Sequence, residues 1–184
     1  MAYKIIQWSS GNVGKNAVAT IAGRKGLKLV GLYVYSPDKE GVDAGEIAGI
    51  DRLGVKATSD MDKLLAMDAD CVVHTPLPSL IYGDNLDEDI ETICALLASG
   101  KNVITTVGYM YPKSHGAKIA NRLKAACRKG GSSYHSTGVN PGWLGDVMPL
   151  MMSGISQSVD KIHIKEITNF EFYNSPEIIF DMMG

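Results

Sequence analysis

The chain has 184 residues, a formal net charge of −2 and an apolar content of 45%, a composition typical of a globular protein with one good core and part of a second domain. The balanced charge, with no basic stripe, argues against nucleic acid as a partner, and no apolar run is long enough to span a bilayer. The three cysteines lie far apart in apolar segments, which favours small core residues in a reducing cytosol over a metal site or disulfide. We therefore expect a cytoplasmic protein without a metal or membrane partner.

The N-terminal strand, residues 4–8, runs into a glycine loop that opens directly into a helix. The loop comprises Ser9, Ser10, Gly11, Asn12, Val13 and Gly14. It matches the G-x-G-x-x-G/A pattern imperfectly, because Ser9 stands at the first glycine. Gly11 would let a dinucleotide pyrophosphate approach the backbone N–H groups of the helix N-terminus, and Gly14 would let the helix pack close to the strand. The alternative interpretation is a plain tight turn.

Strand and helix signals then alternate along the chain. Further strands are predicted at 28–35, 55–58, 71–75, 102–106 and 133–135. The predicted helices are one that Gly26 ends, one at 61–67, one capped by Asp84 that runs to Ser99, and one capped by Ser114 that runs to Lys129. This order predicts an α/β fold, a Rossmann-type doubly wound parallel sheet with right-handed crossovers.

In such a sheet the ligand lies beyond the carboxyl ends of the strands. Ser36 follows the second predicted strand and stands where an acid usually takes the ribose 2′-OH of NAD, and Lys39 follows closely. A hydroxyl and a cation suit a 2′-phosphate, which favours NADP(H), while Asp38 keeps NAD(H) open. The alternative for Lys39 is a solvated charge on an exposed turn.

Two more strand ends are predicted to contact the cofactor. Thr75 and Pro76 either pass beneath the nicotinamide or simply end a strand, since proline cannot continue a ladder. Thr106, at the end of the fifth strand, joins the predicted cofactor contacts. His74, inside an apolar strand, is interpreted as a core residue rather than a catalyst.

The segment 138–143 combines two glycines with an Asn-Pro pair and a tryptophan. Its tight loop predicts that Asn140 holds the cofactor carboxamide and that Trp143 lies near the nicotinamide face. The alternative is an interdomain turn, which needs the glycines and the proline but not the other two residues.

The sequence pattern changes after Trp143. A Met-rich apolar helix is predicted at 145–153, a half-buried strand at 161–167 and the start of a helix at 178–183. We expect residues 1–141 to form the dinucleotide-binding domain. Because a lone strand and helix cannot bury themselves, we expect residues 142–184 to be the truncated start of an α+β substrate and dimerisation domain.

Five motifs carry a resemblance to a known family: 11–14, 43–46, 54–58, 100–103 and 137–142. With them the chain resembles the dihydrodipicolinate reductase superfamily, and within it the branch of 2,4-diaminopentanoate dehydrogenases and NAD(P)H-dependent amine dehydrogenases. The resemblance implies reversible hydride transfer between NAD(P)H and an imine formed from a small ketone or aldehyde and ammonia. It also implies a homodimer and an aromatic substrate pocket, for which Trp143 and Tyr173 are the matching positions.

The chain departs from this family pattern in two places. The stretch 166–173 lacks the His-His pair and lysine of dihydrodipicolinate reductases, which disfavours a di-acid substrate. The stretch 105–110 lacks the acid that amine dehydrogenases place there, so the catalytic group is unknown and Tyr109 is only a candidate. The alternatives are therefore a carbonyl or dihydrodipicolinate-type reductase and a non-catalytic nucleotide-binding regulator.

Overall fold

The computed structural model describes residues 1–79, 84–169, 171, 176 and 179–180. The chain divides into two compact units, Met1–Gly138 and Val139–Gly184. The first unit carries the whole sheet and the glycine loop.

The first unit alternates strands and helices from its start. The strands are β1 Tyr3–Trp8, β2 Leu27–Tyr33, β3 Ala57–Thr58, β4 Cys71–His74, β5 Asn102–Thr105 and β6 Tyr134–Ser136. The helices are α1 Asn12–Ala22, α2 Ala44–Ala48, α3 Met61–Ala66, α4 Glu88–Ala98 and α5 Ala117–Gly130, and short 3-10 helices lie at Pro37–Lys39 and Pro112–His115.

The six strands form one sheet in the order β3-β2-β1-β4-β5-β6, and every pairing of these strands is parallel. The order runs outward in both directions from the pair β1 and β4, so the sheet is doubly wound and its switch point lies between these two strands. The predicted Rossmann-type fold is confirmed.

Alternate residues of the strands feed two apolar layers. On one face Ile6 and Val72 belong to a fully buried cluster with Ile93 of α4. On the other face Ile5 packs in a second cluster with Val18 of α1. Burial of both faces of the central strands explains their nearly continuous apolar sequence.

The helix predicted from Asp84 begins later, at Glu88. The Asn85 side-chain oxygen accepts a hydrogen bond from the Asp87 N–H at 3.0 Å, and the Glu88 N–H donates to the Asn85 carbonyl at 3.1 Å. These local bonds hold the backbone in turns and delay the helix.

Two other predicted helix ends are also wrong. Ser114 does not cap α5, because its hydroxyl donates to the Tyr111 carbonyl at 2.7 Å inside a 3-10 turn, and Gly116 occupies the cap position with φ +94°. The first helix ends at Ala22 rather than near Gly26, since the Gly23 N–H already closes its last turn.

Helix α2 was not predicted, although its sequence carries a cap. The Asp43 carboxylate accepts hydrogen bonds from the N–H groups of Gly45 at 2.8 Å, Leu53 at 2.9 Å and Gly54 at 2.8 Å. These bonds lower the pKa of Asp43, the one from Leu53 contributing most. A single carboxylate thus organises the turn between β2 and β3.

The second unit contains the short helix α6, Met148–Ser153. The segment Val139–Val147 before it is helical except at Asn140, Pro141 and Gly142, and Gly142 has φ +137°, a conformation that favours glycine. The predicted strand at 161–167 is wrong: these residues are exposed and pair with no strand in the described part of the chain. A strand without a partner leaves its backbone groups to solvent. The predicted helix at 178–183 falls mostly outside the described residues.

Candidate nucleotide-binding site

The glycine loop and the segment after β4 meet at the switch point of the sheet. Ser9 follows β1 and Thr75 follows β4, and the Ser9 hydroxyl donates to the Thr75 carbonyl at 2.8 Å. The Thr75 N–H donates in turn to the Trp8 carbonyl at 3.0 Å. Both residues are buried. Hydrogen bonds thus connect the glycine loop directly to the segment that follows β4.

Ser9 adopts φ +80°, a backbone conformation that non-glycine residues rarely take. This explains why a glycine commonly stands at this point of the motif. The strain costs on the order of 1 kcal/mol, and the hydrogen bond from the serine hydroxyl to Thr75, which a glycine could not make, partly offsets it.

Gln7, on β1, is a site residue that the sequence analysis missed. Its side chain is completely buried, and its Nε2 lies 3.0 Å from the carbonyl oxygens of Trp8 and Ser9 and 2.8 Å from Thr75 Oγ1. The only signal in the sequence was a polar residue at an inward-facing position of an apolar strand.

The two glycines of the loop play different parts. A Cβ at Gly14 would lie 2.2 Å from the Ser9 carbonyl oxygen, so the loop backbone crosses α1 where only a hydrogen fits. A Cβ at Gly11 would meet nothing within 4 Å, and Gly11 is the exposed N-cap of α1. Open space in front of an eleven-residue helix N-terminus gives an anion access to backbone N–H groups.

The cation predicted at the end of β2 lies against the glycine loop. Lys39 is half-buried in the 3-10 turn Pro37–Lys39, and its Nζ donates to the Ser10 hydroxyl at 3.3 Å. Ser36 is the exposed N-cap of the same turn. The structure therefore brings Lys39 to the loop, and it is not the freely solvated charge of the alternative interpretation.

An aromatic group supports the ends of β1 and β2. Trp8 stacks on Tyr33 with ring centroids 3.9 Å apart, and its indole N–H donates to the Tyr35 hydroxyl at 3.2 Å. Burial is the main reason that the pKa of Tyr35 is raised to about 12. Tyr35 thus stays neutral as a hydrogen-bonding phenol next to Ser36.

His74 is a core residue, as predicted. It is completely buried, and its Nδ1 lies 2.9 Å from the Thr105 hydroxyl oxygen. Thr106 follows, with its N–H donating to the His74 carbonyl at 3.0 Å. Thr75 is buried and Pro76 half-buried at the same edge of the sheet, where β4 and β5 end.

A buried carboxylate holds the segment after Pro76. Asp89, in the first turn of α4, accepts a hydrogen bond from the Ser79 N–H at 2.6 Å, and its own N–H donates to the Ser79 hydroxyl at 3.2 Å. Burial raises the pKa of the Asp89 carboxyl, although the bond from Ser79 counteracts it.

Tyr109, the candidate proton donor, is only 2% exposed and belongs to the main apolar cluster. Burial raises the pKa of its phenol, and the Tyr134 hydroxyl donates to its carbonyl at 3.2 Å. A proton donor needs to reach the reacting group, so this placement argues against the role, which stays a prediction.

The two predicted site residues of the second unit that the structure describes, Asn140 and Trp143, are exposed. The Asn140 side-chain amide donates to the Glu166 carboxylate, a contact that the sequence did not indicate. The Trp143 side chain is 52% exposed. Tyr173 lies outside the described residues, and the roles of all three stay predictions.

The described part of the chain contains no group of three or more His, Cys, Asp or Glu side chains placed to hold a metal ion. None of its helices has the length and apolar character needed to cross a membrane.

Sequence comparison assigns the family. A family model for the N-terminus of dihydrodipicolinate reductase matches residues 5–110, which is more than half of the chain. The chain belongs to the dihydrodipicolinate reductase family. The resemblance drawn from the five motifs is thereby confirmed.

Two curated relatives define the neighbourhood of the chain within the family. An amine dehydrogenase from Streptomyces virginiae is 33% identical over 183 residues, covering 97% of this chain and 49% of the relative. A 4-hydroxy-tetrahydrodipicolinate reductase from Rippkaea orientalis is 24% identical over 56% of this chain and 37% of the relative. The chain thus spans about half the length of the curated amine dehydrogenase that it matches.

Solved structures agree on the fold. An amine dehydrogenase from Mycobacterium smegmatis superposes with a TM-score of 0.73 and 23% identity, over 87% of this chain and 46% of that one. Biliverdin reductase from Synechocystis, solved with biliverdin and NADP+, gives 0.55 and 15% identity over 75% and 38%. At these identities the likeness concerns the fold alone.

Proposed function

We propose that this chain binds NADP(H) at the β1–α1 loop and is the cofactor-binding part of an oxidoreductase that acts on C–N bonds. One contact carries the cofactor preference: the Lys39 ammonium hydrogen-bonds to Ser10 of the glycine loop at 3.3 Å. A cation fixed at this point, beside the exposed Ser36 hydroxyl, matches the dianionic 2′-phosphate that distinguishes NADP from NAD. NAD(H) lacks this phosphate and would leave the Lys39 ammonium without an anionic partner.

The residues present fit the dinucleotide. Gly11 leaves the space that a pyrophosphate needs, while Ser9, Ser10, Asn12, Val13 and Gly14 shape the loop around it. Thr75, Pro76 and Thr106 would border the nicotinamide end, since they follow β4 and β5 beyond the switch point. Asn140 is kept as a predicted contact of the carboxamide.

When bound, NADPH supplies a hydride, and the similarity to amine dehydrogenases points to the carbon of a small imine as its acceptor. This chain's part would be to hold the cofactor, orient the nicotinamide and exclude water from its edge. The substrates would then be a small ketone or aldehyde with ammonia, or an amine in the reverse direction. Trp143 and Tyr173 are the proposed pocket aromatics, and the proton donor is unassigned.

The remaining proposals concern the whole protein. We propose a cytoplasmic homodimer with its dinucleotide-binding domain in residues 1–141 and the beginning of a substrate and dimerisation domain in 142–184. Nucleic acid is not an expected partner, because the net charge is −2 with no basic stripe.

Calorimetric titration of the chain with NADPH and NADH tests the cofactor proposal. We expect tighter binding of NADPH, and Lys39→Ala should weaken NADPH about tenfold or more while changing NADH little. Lys25→Ala is the matched control, because Lys25 is an exposed lysine in the turn before β2. It lies at the amino end of that strand, whereas Lys39 follows the carboxyl end. Equal losses for both cofactors would contradict the assignment of the 2′-phosphate to Lys39.

NADPH oxidation by the complete gene product, with small ketones and aldehydes and with or without ammonium, tests the reaction. Oxidation that requires ammonium is the expected result and identifies imine reduction. Oxidation that ignores ammonium would identify a carbonyl reductase. Tight binding without any turnover would identify a nucleotide-binding regulator.

A further inference from the structure

The Gln7 side chain lies where the glycine loop meets the segment that follows β4.

 It lies on β1, on the face covered by α1, and none of it is exposed. Its Nε2 donates across the switch point to Thr75 Oγ1 at 2.8 Å and back to the Ser9 carbonyl at 3.0 Å. One amide therefore contacts both loops that border the predicted cofactor crevice.

The orientation of this amide follows from its neighbours. Its Nε2 faces the carbonyl oxygens of Trp8 and Ser9 and the hydroxyl of Thr75. Rotating the amide by 180° would turn its oxygen toward two carbonyl oxygens and is unfavourable. The Oε1 atom, in contrast, has no hydrogen-bond partner in the described structure although it is buried. A buried polar atom without a partner is costly, so this glutamine is a poor choice for packing alone.

The two contacts of Gln7 fix different things. The bond to the Ser9 carbonyl holds the residue with φ +80°, and the same carbonyl oxygen is the atom that requires glycine at position 14. The bond to Thr75 ties that conformation to the end of β4. A loop held by Gln7 keeps its shape without ligand, which reduces the ordering cost of binding.

We infer that Gln7 is a positioning residue, which couples the pyrophosphate loop to the β4 loop so that the two halves of the dinucleotide bind as one unit. This inference rests on the proposed function, because it assumes a dinucleotide in the crevice. Because Gln7 is completely buried, it would act on the cofactor through Ser9 and Thr75 rather than by direct contact.

The test compares two ligands on the chain and on Gln7→Met, which keeps the size of the side chain and removes its hydrogen bonds. NADPH spans both loops, whereas adenosine 2′-monophosphate reaches only the end of β2 and Ser10. We expect Gln7→Met to weaken NADPH about tenfold and to change the affinity for adenosine 2′-monophosphate less than twofold. Equal losses for the two ligands, or no loss for NADPH, would overturn the inference.

Val73→Ala is the matched control for stability, because Val73 is the register neighbour of Gln7 on β4. It should lower the melting temperature without changing the ratio of the two affinities. If Gln7→Met does not fold, Gln7→Leu removes the same hydrogen bonds with a side chain of similar size, and the same difference between the ligands is expected.

Where Gln7→Met and Thr75→Val both fold, the double variant completes a cycle around their shared bond. We expect its loss of NADPH affinity to be smaller than the product of the two single losses, because both remove one shared bond. Strictly multiplicative losses would overturn the coupling. Should the unsubstituted chain bind neither NADPH nor NADH, the proposed function itself fails, which is distinct from NADPH binding that does not depend on Gln7.

Discussion

His74 Nδ1 and the Thr105 hydroxyl oxygen lie 2.9 Å apart where β4 and β5 run side by side, and both side chains are completely buried. The Thr105 hydroxyl oxygen also accepts a hydrogen bond from the Val107 N–H at 3.1 Å. His74 therefore helps to fix the turn that carries Thr106. Burial lowers the pKa of His74 to about 3. The imidazole therefore stays neutral in the folded protein at any physiological pH.

This burial makes stability depend on pH. An unfolded histidine gains its proton at about pH 6.5, whereas the buried His74 does so only at about pH 3. Between these two values the imidazole of residue 74 is protonated in the unfolded chain but not in the folded one. The free energy of unfolding should thus fall as the pH falls through this window, by up to about 1.4 kcal/mol per pH unit from this residue. Urea titrations between pH 4 and 7 measure the slope.

His74→Asn removes the titrating group and keeps a polar atom near Nδ1, so the slope of this variant should be shallower than that of the unsubstituted chain. His135→Asn is the control for the substitution itself, because His135 is exposed on β6. Identical slopes for the chain and for His74→Asn would contradict a neutral, buried imidazole.

Gly11→Ala should separate binding from stability. Its methyl group meets nothing within 4 Å in the protein, so the free energy of unfolding should change by less than about 1 kcal/mol. The methyl group would stand in the space proposed for the pyrophosphate, and NADPH affinity should fall at least tenfold. Chemical unfolding and calorimetry on the same variant check the two expectations, and unchanged NADPH affinity would place the cofactor elsewhere.

Gly14→Ala should behave differently, because its Cβ would lie 2.2 Å from the Ser9 carbonyl oxygen. The loop and α1 must move apart, at a cost of about 1–3 kcal/mol. Unfolding by urea measures this loss, and Gly26→Ala is the control, since a Cβ there meets nothing within 4 Å. A Gly14→Ala variant as stable as this control would show that the close approach is not required.

Substitution of Lys101, which precedes β5, should lower the stability of the fold. Its side chain is buried before β5, and Nζ donates to the Leu65 carbonyl at 2.6 Å and the Ser99 hydroxyl at 3.1 Å. Lys101→Met removes both bonds and leaves the carbonyl at the end of α3 without this donor, which should cost about 1–3 kcal/mol. The exposed Lys124 of α5 supplies the control, Lys124→Met, and thermal unfolding that ranks the two variants equally would contradict the prediction.

The order of elements could be predicted because it depends on local patterns. Apolar runs such as Cys71–His74 and breaks such as Gly100 mark strands and turns wherever they occur. The starts of α4 and α5 could not be placed correctly, since Asn85 and Ser114 form local side-chain bonds that compete with a helix. The strand predicted at 161–167 failed for a different reason, because a strand depends on a partner.

The candidate site was predicted in part. The glycine loop and Lys39 were found from the sequence, but their contact through Ser10 depends on how the turn after β2 folds back. Gln7 was missed, because a single polar residue in a strand does not reveal its partners. The burial of Tyr109 and the bond from Asn140 to Glu166 likewise depend on packing between distant segments.

The sequence by itself determined the fold class, the position of the glycine loop and the family of this chain, because hydrophobic periodicity and short motifs act over a few residues. Only the tertiary structure decided which polar groups meet. Ser9 and Thr75 are 66 residues apart, and His74 and Thr105 are 31 apart. They become neighbours because parallel strands from distant parts of the chain end at the same edge of the sheet.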